Sequence, residues 1–532
     1  MTALLLNGHI YSPSHPEATA IAVREGVVVW LGSDAVGRDQ FPEAERTDLA
    51  GALVAPAFVD SHVHLTATGL RMTGLDLTGA SSAQHCLRML ADHVAAHPGR
   101  PVWGHGWDDT DWPAAPATAD IDAVVGGLPA YLSRIDVHSA AASTALRRQV
   151  PGLAAVAGFD PQRPLTGQAH HLTRAAARAM LTWEQRAAAR TAALDEAAAA
   201  GIVAVHECAG PEIGGAEDWA ELRGTEHGVE VIGYWGEAVS TAGQARALID
   251  ATGARGLAGD LFVDGALGSR TAWLSESYAD APHTCGTCYL DPGTVVEHLS
   301  ACTEAGVTAG FHVIGDAAVS AVVDAVDQVV RRFGTAAVAR CGHRLEHLEM
   351  VTADQAATLA AGGVTASMQP GFDALWGGPD GMYARRLGPQ RSAGLNPLAL
   401  LASSGVRLAF GSDTPVTSMD PWSWVRAASR HRTPGSAISA RAAFAAATRG
   451  AWRAGGVDDG LTGTLVPGAP ASYAVWETGP LETTAPADRV QRWSTDPRSR
   501  VPGLPGLDAG EPPPRCRQTV HRGTVIAGEP NG

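Results

Sequence analysis

Two histidines, His62 and His64, lie in the stretch Phe58-Val59-Asp60-Ser61-His62-Val63-His64. A strand turns alternate side chains to the same face, so both imidazoles point one way and can hold one metal ion, with Asp60 on their face. A lone His-x-His matches by chance. Three further stretches add weight: Gly310-Phe311-His312, Leu345-Glu346-His347 and Phe410-Gly411-Ser412-Asp413. Each ends an apolar, strand-like run with a side chain able to bind metal. Imidazoles with a carboxylate suit zinc or another borderline divalent ion. Such an ion with an open position brings the pKa of bound water to around 7. Asp413 can hold that water as a ligand and take its proton, then pass it to a leaving nitrogen.

These side chains converge only if a scaffold brings strand ends together. Apolar runs such as Val203-Ala204-Val205-His206, Leu261-Phe262-Val263-Asp264, Thr308-Ala309-Gly310-Phe311-His312 and Val364-Thr365-Ala366-Ser367-Met368 alternate with alanine-rich stretches over 174–200 and 317–333. In the second stretch Val319, Val322, Val323, Val326, Val329 and Val330 recur at helical spacing, with Asp316 as the expected N-cap. Repeated βα units predict an α/β protein built on a (β/α)₈ TIM-like barrel, whose site lies at the C-terminal ends of the strands. The run over 53–58, interrupted by Pro56, reads as a buried parallel strand feeding that site. Ala409 and Gly411 share the parity of Asp413 and are expected to leave room at the centre.

The barrel is expected over 57–460, with an insertion around 70–190 above its mouth. Trp103, Trp107 and Trp112 either line that mouth or pack the insertion's own core. Residues 1–56 and 461–532 read as the two parts of one β-sandwich domain formed by both chain termini. Asn7-Gly8 is expected to turn a hairpin, and Arg24-Glu25-Gly26 a second. Gly463-Thr464-Leu465-Val466-Pro467-Gly468, Ser472-Tyr473-Ala474-Val475-Trp476 and the run over 518–526 repeat the strand-and-turn style. The Pro-rich run over 501–514 reads as a surface loop.

Apolar residues make up 45% of the 532, enough for a large core, and the formal net charge of −16 argues against nucleic acid or an anionic membrane as partner. The first eight residues lack the basic start of a signal peptide, and no stretch is apolar for the length of a membrane span, so a cytoplasmic protein acting on a small molecule is expected. Homo-oligomerisation is left open. Seven scattered cysteines give no disulfide framework. Cys285 and Cys288, with His283 before them, read as loop thiols, with a metal clip or a redox pair as the other readings.

The order His62-x-His64, His312, His347, Gly411-Ser412-Asp413 resembles the amidohydrolase superfamily. The phrases Gly104-His105-Gly106-Trp107-Asp108, Asp264-Gly265-Ala266-Leu267-Gly268-Ser269-Arg270-Thr271-Ala272, His312-Val313-Ile314-Gly315-Asp316, Arg344-Leu345-Glu346-His347 and Ser367-Met368-Gln369-Pro370 resemble its amidohydrolase-3 branch, which includes the N-substituted formamide deformylases. The resemblance implies hydrolysis of a non-peptide C–N bond, amide or N-formyl, with one or two metal ions per chain. His62 and His64 would hold the more buried ion, and His312 and His347 the other.

In such relatives a carboxylated lysine bridges the ions, and here Asp260 occupies that place. Either Asp260 bridges two metals, or one metal remains, or the site is degraded. Strand alternation puts Asp260, Phe262 and Asp264 on one face, towards the barrel interior. His138, Trp107, Gln369 and Arg270 are the substrate-contact candidates, with a loop-anchoring ion pair as the other reading of Arg270. His206-Glu207 ends another strand. Two alternatives to an amide hydrolase stand: a mononuclear deaminase of the same superfamily, and a ligand-binding barrel without turnover.

Overall fold

The computed structural model describes residues 2–482, 502–508 and 510–528. Val501 and Ala509 of the Pro-rich run lie outside the described residues. Eight parallel strands form the central sheet: β1 (Phe58–Val63), β2 (Ile202–Ala209), β3 (Glu230–Trp235), β4 (Gly256–Leu257), β5 (Thr308–Val313), β6 (Arg344–His347), β7 (Thr365–Met368) and β8 (Arg407–Phe410). They lie in sequence order, and the ring closes beyond the strand ends. There the Asp413 amide donates to the His62 carbonyl at 2.8 Å and the His64 amide to that of Thr414 at 3.0 Å. Every residue of β1, β2 and β5 is buried. Their unbroken apolar stretches suit strands covered on both faces.

The helix Asp316–Phe333 packs on the barrel through Val319, Val322, Val323, Val326 and Val329. Gly315, not Asp316, takes its N-cap position, with an extended backbone whose amide donates to Asp264. Asp316 instead accepts from the Ser275 amide at 3.0 Å. The stretch over 174–200 is two helices rather than one, Gly167–Arg178 and Trp183–Ala199, and Thr182 starts the second with a reciprocal capping box to Gln185.

The fourth strand differs from its expected position. It is only Gly256–Leu257, and Leu261-Phe262-Val263-Asp264 is not a strand. Gly259, at φ 79°, turns the chain out of the ladder, and its neighbours reach β5 only through an isolated bridge between Phe262 and His312. The alternation argument for Asp260 therefore has no ladder beneath it. Leu261 and Val263 nonetheless pack into the core.

The insertion over the barrel mouth is a five-stranded sheet in the order Leu165–Thr166, Ser139–Ala142, Ala130–Arg134, Val102–Trp107, Leu75–Asp76. It is fastened to the barrel loops by His105 Nε2, 3.1 Å from the Pro415 carbonyl, and by the Ser269 hydroxyl, which donates to Asp136 at 2.8 Å.

Both termini build the sandwich. One sheet orders Val27–Gly32, Ala20–Arg24, Thr2–Leu6 and Glu45–Asp48; the other orders His9–Ile10, Leu53–Pro56, Tyr473–Glu477, Arg515–His521 and Thr524–Gly528. Leu5, Ile21, Val23, Val28, Val54 and Tyr473 are among the side chains buried between them. The Glu25-Gly26 turn joins an antiparallel pair as expected.

Three details of this region depart from expectation. Asn7-Gly8 turns no hairpin: Thr2–Leu6 pairs with Ala20–Arg24 while His9–Ile10 pairs with Leu53–Pro56. Asn7, at φ 56° and donating to Asp48, passes the chain from one sheet to the other. Residues 463–468 are turns and bends, not a strand. Leu504 and Leu507 of the Pro-rich run are buried rather than on the surface, and Leu504–Pro505 pairs with Leu481–Glu482. Among the described residues no helix is long and apolar enough to cross a membrane.

Candidate metal centre

The barrel strands end in one cluster of nitrogen and oxygen atoms. β1 delivers His62 and His64, β5 His312, β6 His347, the turn after β8 Asp413, and the irregular segment after β4 Asp260. Asp260 is the hub. Its Oδ1 lies 3.5 Å from His62 Nε2, 3.5 Å from His312 Nδ1 and 4.0 Å from His347 Nε2, and its Oδ2 lies 3.1 Å from His64 Nε2. Asp413 Oδ1 sits 3.4 Å from His62 Nε2 and 3.3 Å from His64 Nε2. His347 and Asp413 have left-handed backbones, φ 72° and 53°. Such conformations cost about 1–3 kcal/mol each and persist where the surrounding structure imposes them.

Three of the four imidazoles are turned by a partner on their other nitrogen. His62 Nδ1 lies 2.9 Å from Glu346 Oε2, His312 Nε2 3.3 Å from the Gly265 carbonyl, and His347 Nδ1 2.8 Å from Gln369 Oε1. Each acceptor takes the ring N–H and leaves a bare lone pair on the nitrogen facing the centre. Those inward atoms, His62 Nε2, His312 Nδ1 and His347 Nε2, are buried without a hydrogen-bond partner, as are Asp260 Oδ1 and Asp413 Oδ1. Buried acceptors facing only one another are costly, and a cation between them removes the cost. The donor set, imidazoles with carboxylates, fits a divalent ion of the zinc type.

The carboxylates draw positive charge into the cluster, whether as protons on the imidazoles or as a cation. Burial opposes charge on Asp260, yet His62, His312 and His64 outweigh it and hold its carboxyl well below the usual range. Burial likewise works against a charged His64, but Asp260 and Asp413 lift it to about 9. Beneath the cluster, burial opposes ionisation of Glu346, and the Arg344 guanidinium and His62 overcome it to keep the carboxyl well below its ordinary value. Arg344 donates to Glu346 through Nε at 2.6 Å and Nη2 at 2.9 Å, and lies 4.3 Å over the Tyr234 ring.

Asp60 is not at the centre. It accepts from the Ser412 and His62 amides, tying β1 to the turn after β8. Burial, partly offset by those bonds, pushes its pKa up to about 7. Gly411 leaves room for this tie rather than for metal, since a Cβ there would lie 2.6 Å from Asp60 Oδ1 and from the His62 amide nitrogen. Ala409 packs with Val59 and Trp452.

Two cavities meet at the cluster. A cleft of about 870 Å³, part of it open solvent, has His64, Asp260, His312 and Asp413 at its base and Trp103, Tyr131 and other insertion residues as its wall. A smaller one of about 320 Å³ reaches His347, Glu349, Phe372 and Tyr383. His138 lines both, its ring 4.9 Å from that of His312. Burial, helped by His312, holds His138 far below the ordinary imidazole value, so it is neutral. Glu207 lines the cleft and accepts from the Leu65 amide, whereas His206 lies 2.9 Å from Arg344 Nη1.

The other substrate-contact candidates lie elsewhere. Trp107 is buried in the insertion's core, its Nε1 donating to the Leu132 carbonyl at 2.7 Å, because the apolar face of that sheet needs a filler. Of the three tryptophans only Trp103 lines the cleft. Arg270 grips Asp280 through Nε and Nη2 at 3.2 and 2.7 Å and anchors its loop. Gln369 is buried behind His347 and lines neither cavity. Cys285 and Cys288 are exposed free thiols, outside every group of described residues able to hold a metal.

Three residues were missed. His171, Arg174 and Arg178 line the cleft from the helix Gly167–Arg178, and their spacing of three and four residues on one helical face was the available signal.

The profile described as "Amidohydrolase family" matches residues 45–527. Protein LONG AFTER FAR-RED 3 of Arabidopsis thaliana is 27% identical over 523 residues, covering 89% of this chain and 87% of that protein. N-substituted formamide deformylase of Arthrobacter pascens is 23% identical over 439 residues, 76% of this chain and 78% of its own. Among solved structures, an uncharacterized metal-dependent hydrolase from Pyrococcus furiosus superposes with a TM-score of 0.69 at 26% identity, covering 89% of this chain and 98% of that one. With a barrel whose strand ends gather metal-ready imidazoles and carboxylates, and a profile match across most of its length, the chain belongs to the amidohydrolase family.

Proposed function

We propose that this protein hydrolyses a non-peptide C–N bond, of amide or N-formyl type, in a small molecule, with His62, His64, Asp260, His312, His347 and Asp413 holding one or two divalent ions, zinc or a similar metal. The observation that carries the reading is the convergence of five buried, partnerless donor atoms at the strand ends. When bound, the metal supplies Lewis acidity for the carbonyl and a water of lowered pKa. The remaining work falls to the chain. Asp413 turns Oδ1 towards His62 and His64, which leaves Oδ2 to take the proton of the attacking water and return it to the leaving nitrogen. His138, neutral and beside His312, is placed to hydrogen-bond the substrate where the two cavities meet. Glu346, Gln369 and the Gly265 carbonyl keep three imidazoles in one tautomer.

Asp260 stands where relatives carry a carboxylated lysine. Its two oxygens face different histidines, so it acts as a ligand shared across the cluster.

The name of the Arthrobacter relative favours N-formyl compounds. Purified protein reconstituted with zinc is to be screened against N-formyl amines, carbamates, acyl amino acids and cyclic ureas. Hydrolysis of an amide or N-formyl compound that is lost in Asp413→Asn, with metal content retained, is the expected result. Turnover of none of them, or full turnover in Asp413→Asn, overturns the proposal.

A further inference from the structure

The wall of the large cleft carries two guanidiniums that no carboxylate among the described residues touches. His171, Arg174 and Arg178 face the cleft from one side of the helix Gly167–Arg178. Arg174 is 9% exposed and its Nε is buried without a partner. Its Nη2 donates to the Glu212 carbonyl at 2.7 Å, and Arg178 Nη1 to the same carbonyl at 3.2 Å. A backbone carbonyl orients a guanidinium but does not neutralise it. Among the described residues no carboxylate oxygen lies within 4.0 Å of either arginine.

The nearby carboxylates have other partners. The Glu212 carboxylate pairs with His171 at 3.0 Å. Asp218 receives Arg190 at 2.8 Å and Thr66 at 2.9 Å. Glu207, pushed up to about 7 by burial, accepts from the Leu65 amide, and Asp260 and Asp413 belong to the metal centre. Burial and the neighbouring Arg174 charge pull Arg178 down to about 10, against the opposing charges of Asp218 and Glu212. Two guanidiniums side by side, that of Arg174 buried and that of Arg178 half-buried, are costly unless an anion joins them. Their flat, multi-donor ends suit a carboxylate.

The geometry points to a substrate that carries a carboxylate several bonds from the scissile C–N bond, held by Arg174 and Arg178 while the reacting carbonyl lies at the metal centre. The spacing follows from the intervening rings. His312 contacts Phe262 at 4.9 Å and Phe262 contacts His171 at 5.4 Å, and Arg174 lies one helical turn beyond. Leu70, Trp103, Tyr131, Ile213 and Phe262 give the stretch between an apolar lining. This inference rests on the proposed amide hydrolysis for the reacting end of the substrate, and on the arginines alone for the other end.

The test separates the two. Binding of octanoate and of octan-1-ol to the purified, metal-loaded protein is measured by calorimetry, and hydrolysis of 6-formamidohexanoate and of N-hexylformamide is followed in parallel. Each pair differs by one carboxylate. A preference for the carboxylate of about 10- to 100-fold is expected, the factor given by charge-assisted hydrogen bonds. Arg174→Gln should abolish most of it, Arg178→Gln part of it, and Arg174→Lys should restore some. Arg178, only half-buried, provides the informative variant if Arg174→Gln fails to fold.

Equal binding of octanoate and octanol overturns the inference. So does a carboxylate preference that survives both glutamine variants, because the carboxylate would then sit at the metal. Selective octanoate binding without hydrolysis of either formamide leaves the inference standing and sinks the N-formyl form of the reaction. Hydrolysis of both formamides with equal efficiency, and no binding preference, does the reverse.

Discussion

Replacing Glu346 with glutamine changes one charge and almost no volume, in a place where two groups depend on that charge. Arg344, fully buried, donates to both carboxylate oxygens, at 2.6 and 2.9 Å, and His62 Nδ1 lies 2.9 Å from one of them. A glutamine offers one acceptor oxygen and a second atom that can only donate. Arg344 Nε or Nη2 then faces an N–H, and the buried guanidinium loses its counter-charge. Breaking a buried pair by removing one partner costs about 3–5 kcal/mol. Arg344 keeps the Ser61 carbonyl and Ser367 hydroxyl as partners, which puts the expectation near the lower end, about 3 kcal/mol.

The second effect is on the metal. His62 loses the carboxylate that fixes its tautomer, and changes of this kind reduce metal affinity about 10- to 100-fold. Denaturant unfolding gives the first quantity, and competition with a chromogenic chelator gives the second. Glu346→Gln that unfolds within about 1 kcal/mol of the parent and competes for zinc as well as the parent would refute the reasoning from brace to centre.

Asp260→Asn is expected to release metal and to cut turnover with the fold intact, whereas bicarbonate should leave metal loading of the parent unchanged; metal analysis with and without bicarbonate, on Asp260→Asn and Asp260→Lys, decides it. Gly411→Ala should lower stability by about 1–3 kcal/mol, since the added carbon meets Asp60 and the His62 amide, and unfolding curves check this. Trp107→Phe removes the bond to Leu132 and should lower stability by about 1–3 kcal/mol with KM unchanged; a large KM effect would return Trp107 to the substrate. Arg270→Ala should likewise leave kcat/KM for small neutral amides unaltered, since that side chain meets Asp280 and not the cleft.

The barrel was legible because its strands are continuous apolar runs and its helices keep a clear spacing, as in the valines of Asp316–Phe333. His62, His64, His312, His347 and Asp413 were legible for a related reason, each closing such a run. Asp260 was placed inside by an argument about strand alternation, but its segment is irregular after Gly259, so position and reason came apart. Trp107, Arg270 and Gln369 were misplaced because residue type cannot distinguish a side chain facing a cavity from one bonded behind it. Arg174 and Arg178 went unread since two arginines on an alanine-rich helix look like a solvated face. Only the covering sheet of the insertion and the shared Glu212 carbonyl reveal what they face.

The sheet that joins the two ends of the chain has a consequence for how the protein is made. Leu53–Pro56 runs into Phe58–Val63, the strand bearing His62, and its neighbour on one side is Tyr473–Glu477, which is itself covered by Arg515–His521. During synthesis the histidine strand emerges early, but of the two strands that flank its base, His9–Ile10 precedes it and Tyr473–Glu477 comes late. A chain that stops before residue 473 carries all six candidate donors but lacks one neighbour of the strand that leads into His62, and domains fold as units once their parts are present. Chains that stop before residue 473 are therefore expected to leave the ribosome without a loaded centre.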